Sequence, residues 1–258
     1  MTSDSSPSHT RTRPRRAFSE LLKVQWHLAL RQRYIFTGLA LPTILLVVFW
    51  AIGRLNPGEV AGSGLTILEL WTPTILVISY IAIGLLGLPA TFARDREIGW
   101  LRRISTTPIS PSRLLAAQLL LNLIFAAVAT AFLLVVAIAI FGAPLTVGVE
   151  FVGIALLAIA EMFSLGLVVA AIAPSQQAAE YIAGGFVFPL MFLSGLWVQP
   201  VQVGGALATI MYYSPTGSAV RALLYSVFNA VPPYTTIVTM AVYAAIFTYL
   251  AVRFFRWE

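Results

Sequence analysis

Reactive and charged side chains are scarce in this chain, which has no cysteine, two histidines, one lysine and 10% charged residues. The lack of cysteine excludes disulfides, thiolate metal sites and cysteine nucleophiles. His9 and His27 lie in separate segments, which argues against a histidine metal cluster. A membrane-embedded enzyme therefore finds almost no support in the sequence.

The single lysine, Lys23, bears on ATP binding. A P-loop needs a glycine-rich turn that ends in Gly-Lys-Ser/Thr, because its backbone amides and its lysine hold the phosphates. Lys23 is followed by Val24 and has no such turn before it. The sequence thus predicts no cofactor in this chain, and any ATP-driven work must be done by a partner.

Apolar residues, in contrast, make up 59% of the chain, and its mean hydropathy is +0.88. This composition predicts an all-α integral membrane protein. The uncharged run between Arg33 and Arg54 is long enough to cross a hydrocarbon core of roughly 30 Å. Six spans are expected, at 34–53, 70–93, 114–141, 147–173, about 181–197 and 234–252.

The region between the fifth and sixth spans is apolar but interrupted by Pro200, by Gly204 and Gly205, and by Pro215. We expect short helices at about 203–212 and 216–229 that return partly into the membrane without crossing it. Such backbone is tolerated at membrane depth only where protein covers it or where it lines a cavity.

Three parts are predicted along the chain. Residues 1–16 are rich in Ser, Thr, Pro and Arg and predict a disordered basic tail. Residues 17–33 have apolar positions at helical spacing, which favours an amphipathic helix in the headgroup plane; a plain extension of the first span is the alternative. Residues 34–258 form the six-span domain.

Basic residues set the expected orientation, since Lys and Arg near span ends favour the cytoplasm. With both termini inside, only Arg54 and Arg221 of the 16 basic residues fall outside. We therefore predict cytoplasmic N- and C-termini.

The segment 94–108 is a concentration of charge between two apolar runs. If 95–105 is helical, Asp95 and Glu97 lie in its first turn and arginines in its last, as the helix dipole prefers. Ile98, Leu101 and Ile104 then share an apolar face that suits docking into a groove on a second protein. A basic connector lying on anionic lipid explains the same charges equally well.

This segment, from Arg94-Asp95-Arg96-Glu97-Ile98-Gly99-Trp100 to Pro108-Ile109-Ser110, resembles the first-loop motif of ABC-2-type permeases, the membrane subunits of type V ABC exporters. Residues 188–195 (Phe-Pro-Leu-Met-Phe-Leu-Ser-Gly), with Pro200 and Tyr213-Ser214-Pro215, are similar to the fifth span and outer loop of that family. The resemblance covers nearly the whole chain.

The resemblance implies a six-span half-transporter in the cell membrane that pairs with a second permease copy or a homologous permease. Two separate ATPase subunits would bind ATP and Mg, and no nucleic acid is involved. It implies that 17–33 is a connecting helix and that 95–105 is the coupling helix. The coupling residues are then Asp95, Glu97, Ile98, Gly99, Leu101, Arg102, Arg103 and Ile104.

Four residues are candidates for a translocation path or gate. Glu161 lies about midway along the fourth span, where a carboxylate costs roughly 2.5–3.5 kcal/mol on insertion scales. It is either functional or a buried acid satisfied by a residue such as Ser164 or Gln118, and the two readings stay open. Pro189 is expected to kink the fifth span near a gate, with Phe188 and Phe192 beside it.

Two functions remain. The first is an exporter permease that moves a hydrophobic or amphipathic compound (a drug, an antibiotic or a lipid-like molecule) outward, because few intramembrane charges are available to coordinate an ion. The second is a stand-alone proton-coupled carrier that uses Glu161. Inverted repeats would favour the carrier, but residues 34–141 and 147–252 have no clear internal similarity.

Overall fold

The computed structural model describes residues 33–97 and 111–254. This part of the chain is helical and has no strand. Its α-helices are α1 (Arg33–Leu55), α2 (Ile67–Tyr80), α3 (Leu88–Glu97), α4 (Pro111–Val135), α5 (Val149–Ile172), α6 (Gln176–Leu193), α7 (Pro200–Val203), α8 (Gly205–Tyr213), α9 (Pro215–Ser226) and α10 (Tyr234–Phe254). Two π-helices, Ile81–Gly87 and Val136–Ile140, continue α2 and α4.

Five helical stretches are long and apolar enough to cross a membrane: Gly38–Leu55, Ile67–Glu97, Leu115–Ile140, Val149–Ile172 and Tyr234–Phe254. They correspond to the predicted spans 1 to 4 and 6, and the all-α membrane fold is confirmed. The predicted fifth span corresponds to α6, which starts at Gln176 rather than near 181. Its first turns carry two glutamines and Glu180, so α6 is not among the five, and a sixth crossing remains a prediction.

The second span, Ile67–Glu97, is the central helix of the protein. In its most apolar stretch 89% of the residues are buried inside the protein, against 17% in the first and last spans. It begins with a capping box, in which the Thr66 amide donates to the Glu69 carboxylate at 2.7 Å. This pairing satisfies amide groups that have no partner inside the helix. Its core position means that movement at one of its ends affects many neighbours.

The second span approaches α5 closely through two glycines. A Cβ atom at Gly166 would lie 2.1 Å from the carbonyl oxygen of Gly84, which is in the first π-helix. Small residues at helix contacts in membranes allow this backbone approach. The missing Cβ at Gly166 thus sets the distance between the two helices.

Gly166→Ala is expected to destabilise the protein, because the added methyl group must push the two backbones apart. Overpacking of this kind typically costs about 1–3 kcal/mol. The midpoint of thermal unfolding in detergent would fall. Gly153→Ala is the matched control on α5, since nothing lies within 4 Å of its Cβ position. Equal midpoints for both variants would contradict the close contact.

The two ends of the bundle differ. The loop end holds residues 56–66, 142–148 and 194–233, and its segments are tied together by hydrogen bonds. The Trp71 indole donates to the Leu196 carbonyl at 2.8 Å, and the Thr216 hydroxyl donates to the Leu190 carbonyl at 2.9 Å. The three short helices α7, α8 and α9 lie here, close to the predicted short helices. The charged end holds Arg94–Glu97 of α3 and the connection between α5 and α6.

Several predictions lie outside the described residues. These are the basic tail 1–16, the amphipathic helix up to residue 32, and the segment 98–110 with Ile98, Gly99, Leu101, Arg102, Arg103 and Ile104.

Candidate functional site

The acidic residues of the charged segment belong to α3, which continues the second span. Asp95 and Glu97 were expected in the first turn of a separate helix, and that placement is wrong. No glycine or proline lies between Pro89 and Gly99, so nothing interrupts the helix where the charges begin. The charges therefore stand on the end of the most buried span.

Glu97 reaches the start of α6. Its Oε2 atom accepts a hydrogen bond from the backbone amide of Gln176 at 3.2 Å. Next to it, the Ser175 side chain caps the helix by accepting from the Ala178 amide at 3.2 Å. A carboxylate is favourable at this position, because the first amides of a helix lack internal partners and carry partial positive charge.

Arg96 reaches the end of α5. Its Nη2 atom donates to the carbonyl oxygen of Ala170 at 2.5 Å. Ala170 lies in the last turn of α5, where carbonyl groups lack internal partners and carry partial negative charge. Arg96 was not among the predicted coupling residues.

The Arg96–Glu97 pair thus holds both sides of the connection between α5 and α6. The positive Arg96 guanidinium contacts the negative C-terminal end of α5, and the negative Glu97 carboxylate contacts the positive N-terminal end of α6. Each such contact is worth typically 0.3–1 kcal/mol in exposed positions. A third charge contact is weak, since the Nε atom of Arg94 lies 4.0 Å from the Asp95 carboxylate.

Small residues bring the same elements together. Ala93 of α3, Ala173 of the connection and Ala179 of α6 form a buried cluster, with Ile182 packed against it. Alanine side chains permit close helix contact. The end of the second span therefore contacts α5 and α6 by packing as well as by charge.

One sequence signal pointed to this contact. The segment 174–180, which includes the start of α6, has no basic residue, although the end of α5 needs a positive partner. Arg96 supplies it from another span, but the distance of 74 residues between Arg96 and Ala170 hides the pairing from sequence patterns.

Glu161 lies inside the protein rather than on an open path. It is completely buried, and neither carboxylate oxygen has a hydrogen-bond partner in the part of the chain that the structure describes. The alternative partners do not satisfy it: the Ser164 hydroxyl donates to the backbone carbonyl of Glu161, and the side-chain oxygen of Gln118 is itself without a partner.

The three predicted gate residues lie on α6. Phe188 and Pro189 are exposed, and Phe192 is half-buried. The Phe188 ring contacts the Trp197 ring with centroids 4.8 Å apart. Because Glu161 is fully buried, the structure does not bring it to the surface that Phe188 and Pro189 share.

The described residues contain no candidate metal site, since no three or more His, Asp or Glu side chains among them have suitable geometry.

The family model described as ABC-2 type transporter matches residues 16–228. A search of curated proteins finds no match to the chain.

Proposed function

The chain belongs to the ABC-2 type transporter family, and on this premise we propose that it is the permease subunit of an ATP-driven ABC exporter. A separate nucleotide-binding subunit would hydrolyse ATP, and the permease would move a hydrophobic or amphipathic compound outward. The family match supports a membrane transport component, and the five apolar helices support a multi-pass membrane protein.

The sequence supports a separate ATPase. The only lysine has no P-loop before it, so this chain has no Walker site for ATP. ATP and Mg would bind to the partner. The partner's docking site is the coupling segment, of which Asp95 and Glu97 are described and Ile98, Gly99, Leu101, Arg102, Arg103 and Ile104 lie beyond α3.

The observation that carries the proposal is the Arg96–Glu97 pair. The pair lies at the charged end of the most buried span, within the first residues of the coupling segment, and contacts the end of α5 and the start of α6. A push on residues 98–104 would therefore reach three membrane helices at once. Coupling of two sites requires such a physically continuous element.

The substrate class rests on the spans themselves. They are mostly apolar, and Glu161, the acid near the middle of α5, is held within the interior, so few charged groups are available to coordinate an ion. A hydrophobic or lipid-like compound fits better.

Dimerisation is supported by α6. Its exposed side includes Tyr181, the pair Gly184 and Gly185, and Phe188, and small residues of this kind favour close helix packing in membranes. A second permease, identical or homologous, would cover this side. The site of action would be the cell membrane, with both termini in the cytoplasm.

Mass spectrometry of the detergent-purified complex tests the proposal. An ABC ATPase subunit is expected to co-purify, with two permease chains and two ATPase chains in each complex. In vesicles, amphiphile transport is expected only when both the ATPase and ATP are present. Full transport by the purified chain alone would overturn the exporter.

A second candidate function is a proton-coupled carrier. The observation that favours it is Glu161, a fully buried carboxyl group with no hydrogen-bond partner among the described residues. Such intramembrane acids mark proton relays in pumps and transporters. The same vesicles separate the two candidates, since a carrier would transport under a pH gradient without nucleotide.

A further inference from the structure

A cavity of about 260 Å³ opens at the loop end of the bundle. Its walls come from the loop before α2, the start of α2, the turn after α6, and the helices α7, α8 and α9. It lies at the opposite end of the bundle from the Arg96–Glu97 pair. Neither the coupling contact nor the gate residues explain it.

Arg221 supplies the only charged side chain in the cavity wall. It is half-buried on α9, and its guanidinium carbon lies 4.8 Å from the centre of the Tyr212 ring. A cation–π contact of this kind orients the guanidinium but leaves its charge and its five N–H donors available. Tyr212 therefore positions Arg221 without neutralising it.

No carboxylate lines the cavity. The acid nearest in sequence to a wall residue is Glu69, beside Leu70, and it is already engaged by the amide and hydroxyl of Thr66 in the capping box. Arg221 has no ion pair with any residue that the structure describes. Among the described residues, no carboxylate of the cavity wall pairs with the positive charge of Arg221.

Three other polar side chains of the wall already donate hydrogen bonds to backbone carbonyls and are not free donors for a ligand. The hydroxyls of Ser63 and Ser194 donate to the backbone carbonyls of Val60 and Met191, both at 2.7 Å. The Gln199 amide likewise donates to a carbonyl, that of Gly195 at 2.9 Å.

The phenol groups of Tyr212 and Tyr225 have no hydrogen-bond partner within the described part of the protein. Together with Arg221, they leave the wall with free donors, and donors of this type suit an anionic oxygen.

The rest of the wall is apolar and includes Leu65, Leu70, Val220 and Leu224. A volume of about 260 Å³ lies below the range of roughly 300–1,000 Å³ that is usual for whole drug-sized ligands. We propose that this cavity binds the phosphate headgroup of an anionic amphiphile, with Arg221, Tyr212 and Tyr225 around the phosphate oxygens and the leucines against the first carbons of its tail. The proposal goes beyond the exporter function and does not depend on it.

Binding to the full-length protein tests the site, with dioctanoyl phosphatidylglycerol as the probe and native mass spectrometry or fluorescence titration as the readout. We expect the wild type to bind this anionic lipid at least tenfold more tightly than dioctanoyl phosphatidylcholine, whose headgroup has no net charge. Arg221→Gln is expected to remove that preference. Inorganic phosphate is the second arm: equal competition by free phosphate would identify the anion alone as the ligand, whereas weak competition supports a headgroup.

Arg54→Gln is the matched control. Arg54 also lies at the loop end, at the end of α1, but it is exposed and does not line the cavity. It is expected to change binding less than twofold. Tyr225→Phe keeps the ring and removes one donor, so a loss of about threefold is expected even if Arg221→Gln fails to fold. Equal binding of the two lipids by the wild type, or equal losses in the Arg221 and Arg54 variants, would overturn the proposal.

Discussion

Glu97→Lys in the assembled transporter is expected to leave ATP hydrolysis running while transport falls by up to about tenfold. The substitution removes the carboxylate that accepts from the Gln176 amide and places a positive charge at the positive pole of α6. The exposed contact is worth about 0.3–1 kcal/mol and the reversed charge adds a repulsion of similar size, which together approach the 1.4 kcal/mol that corresponds to a factor of ten. The measurement is ATP hydrolysis and accumulation of fluorescent amphiphiles in the same vesicles, restricted to amphiphiles that the wild type moves.

Glu180→Lys is the matched control for that result. It makes the same change of charge one turn further along α6, at an exposed position where the carboxylate only accepts from the Gln176 side chain at 2.9 Å. Near wild-type transport is expected. If Glu97→Lys and Glu180→Lys reduce transport equally, the effect is one of surface charge. The Arg96–Glu97 pair would then not transmit movement from the coupling segment to α5 and α6.

The midpoint of thermal unfolding distinguishes a loss of coupling from a folding defect. The alanine cluster of Ala93, Ala173 and Ala179 holds the same three elements by packing. The Glu97 variant should therefore keep its thermal unfolding midpoint within about 2 °C of the wild type, since an exposed charge contact contributes little to global stability. The variant is therefore expected to lose transport because the contact between α3 and α6 is broken, and not because the protein unfolds.

The sequence was sufficient for the membrane fold because the bilayer imposes a simple rule. A span needs a long uncharged run, and runs of that kind predicted the five apolar helical stretches that the structure contains. The start of α6 was misplaced because Gln176, Gln177 and Glu180 make its first turns polar. Hydropathy marks the part of a helix that lies in lipid, not the turns that extend beyond it.

The candidate site was harder to predict. Asp95 and Glu97 are charges at the end of a span, as the sequence indicated, but Glu97 contacts the start of α6, 79 residues away in the sequence. Arg96 was missed for the same reason. A single sequence has no information about which helix faces which, so pairing between a side chain and a distant helix terminus appears only in the folded chain.

The cavity at the loop end illustrates the same limit. Arg221 had been assigned to the outer side by topology alone, as one of two basic residues there. Its position over Tyr212 and among the walls of a cavity depends on the packing of α8 against α9 and on the loop 56–66. The sequence contains the arginine, but only the folded chain shows that Arg221 lines a cavity.

Glu161→Leu is expected to make the protein more stable, by about 2 kcal/mol or more. A buried carboxyl group without a hydrogen-bond partner carries a desolvation penalty in either protonation state. Leucine has a similar size and belongs in a membrane helix, with a favourable insertion free energy. Since 1 kcal/mol corresponds to roughly 2–4 °C in a chain of this size, the midpoint of thermal unfolding in detergent should rise by about 5 °C.

Glu150→Leu is the control for this prediction because it removes the same group from the same helix in a different environment. Glu150 is exposed in the first turn of α5, where an acid is favourable, so its loss should leave the midpoint unchanged or lower it. Opposite signs for the two variants would identify the burial of Glu161 as the cause. A lower midpoint for Glu161→Leu would mean that its carboxyl group gains a partner in the assembled transporter, and the reading of Glu161 as an unsatisfied interior acid would be wrong. A higher midpoint combined with lost transport would place Glu161 among the residues that serve function at the expense of stability.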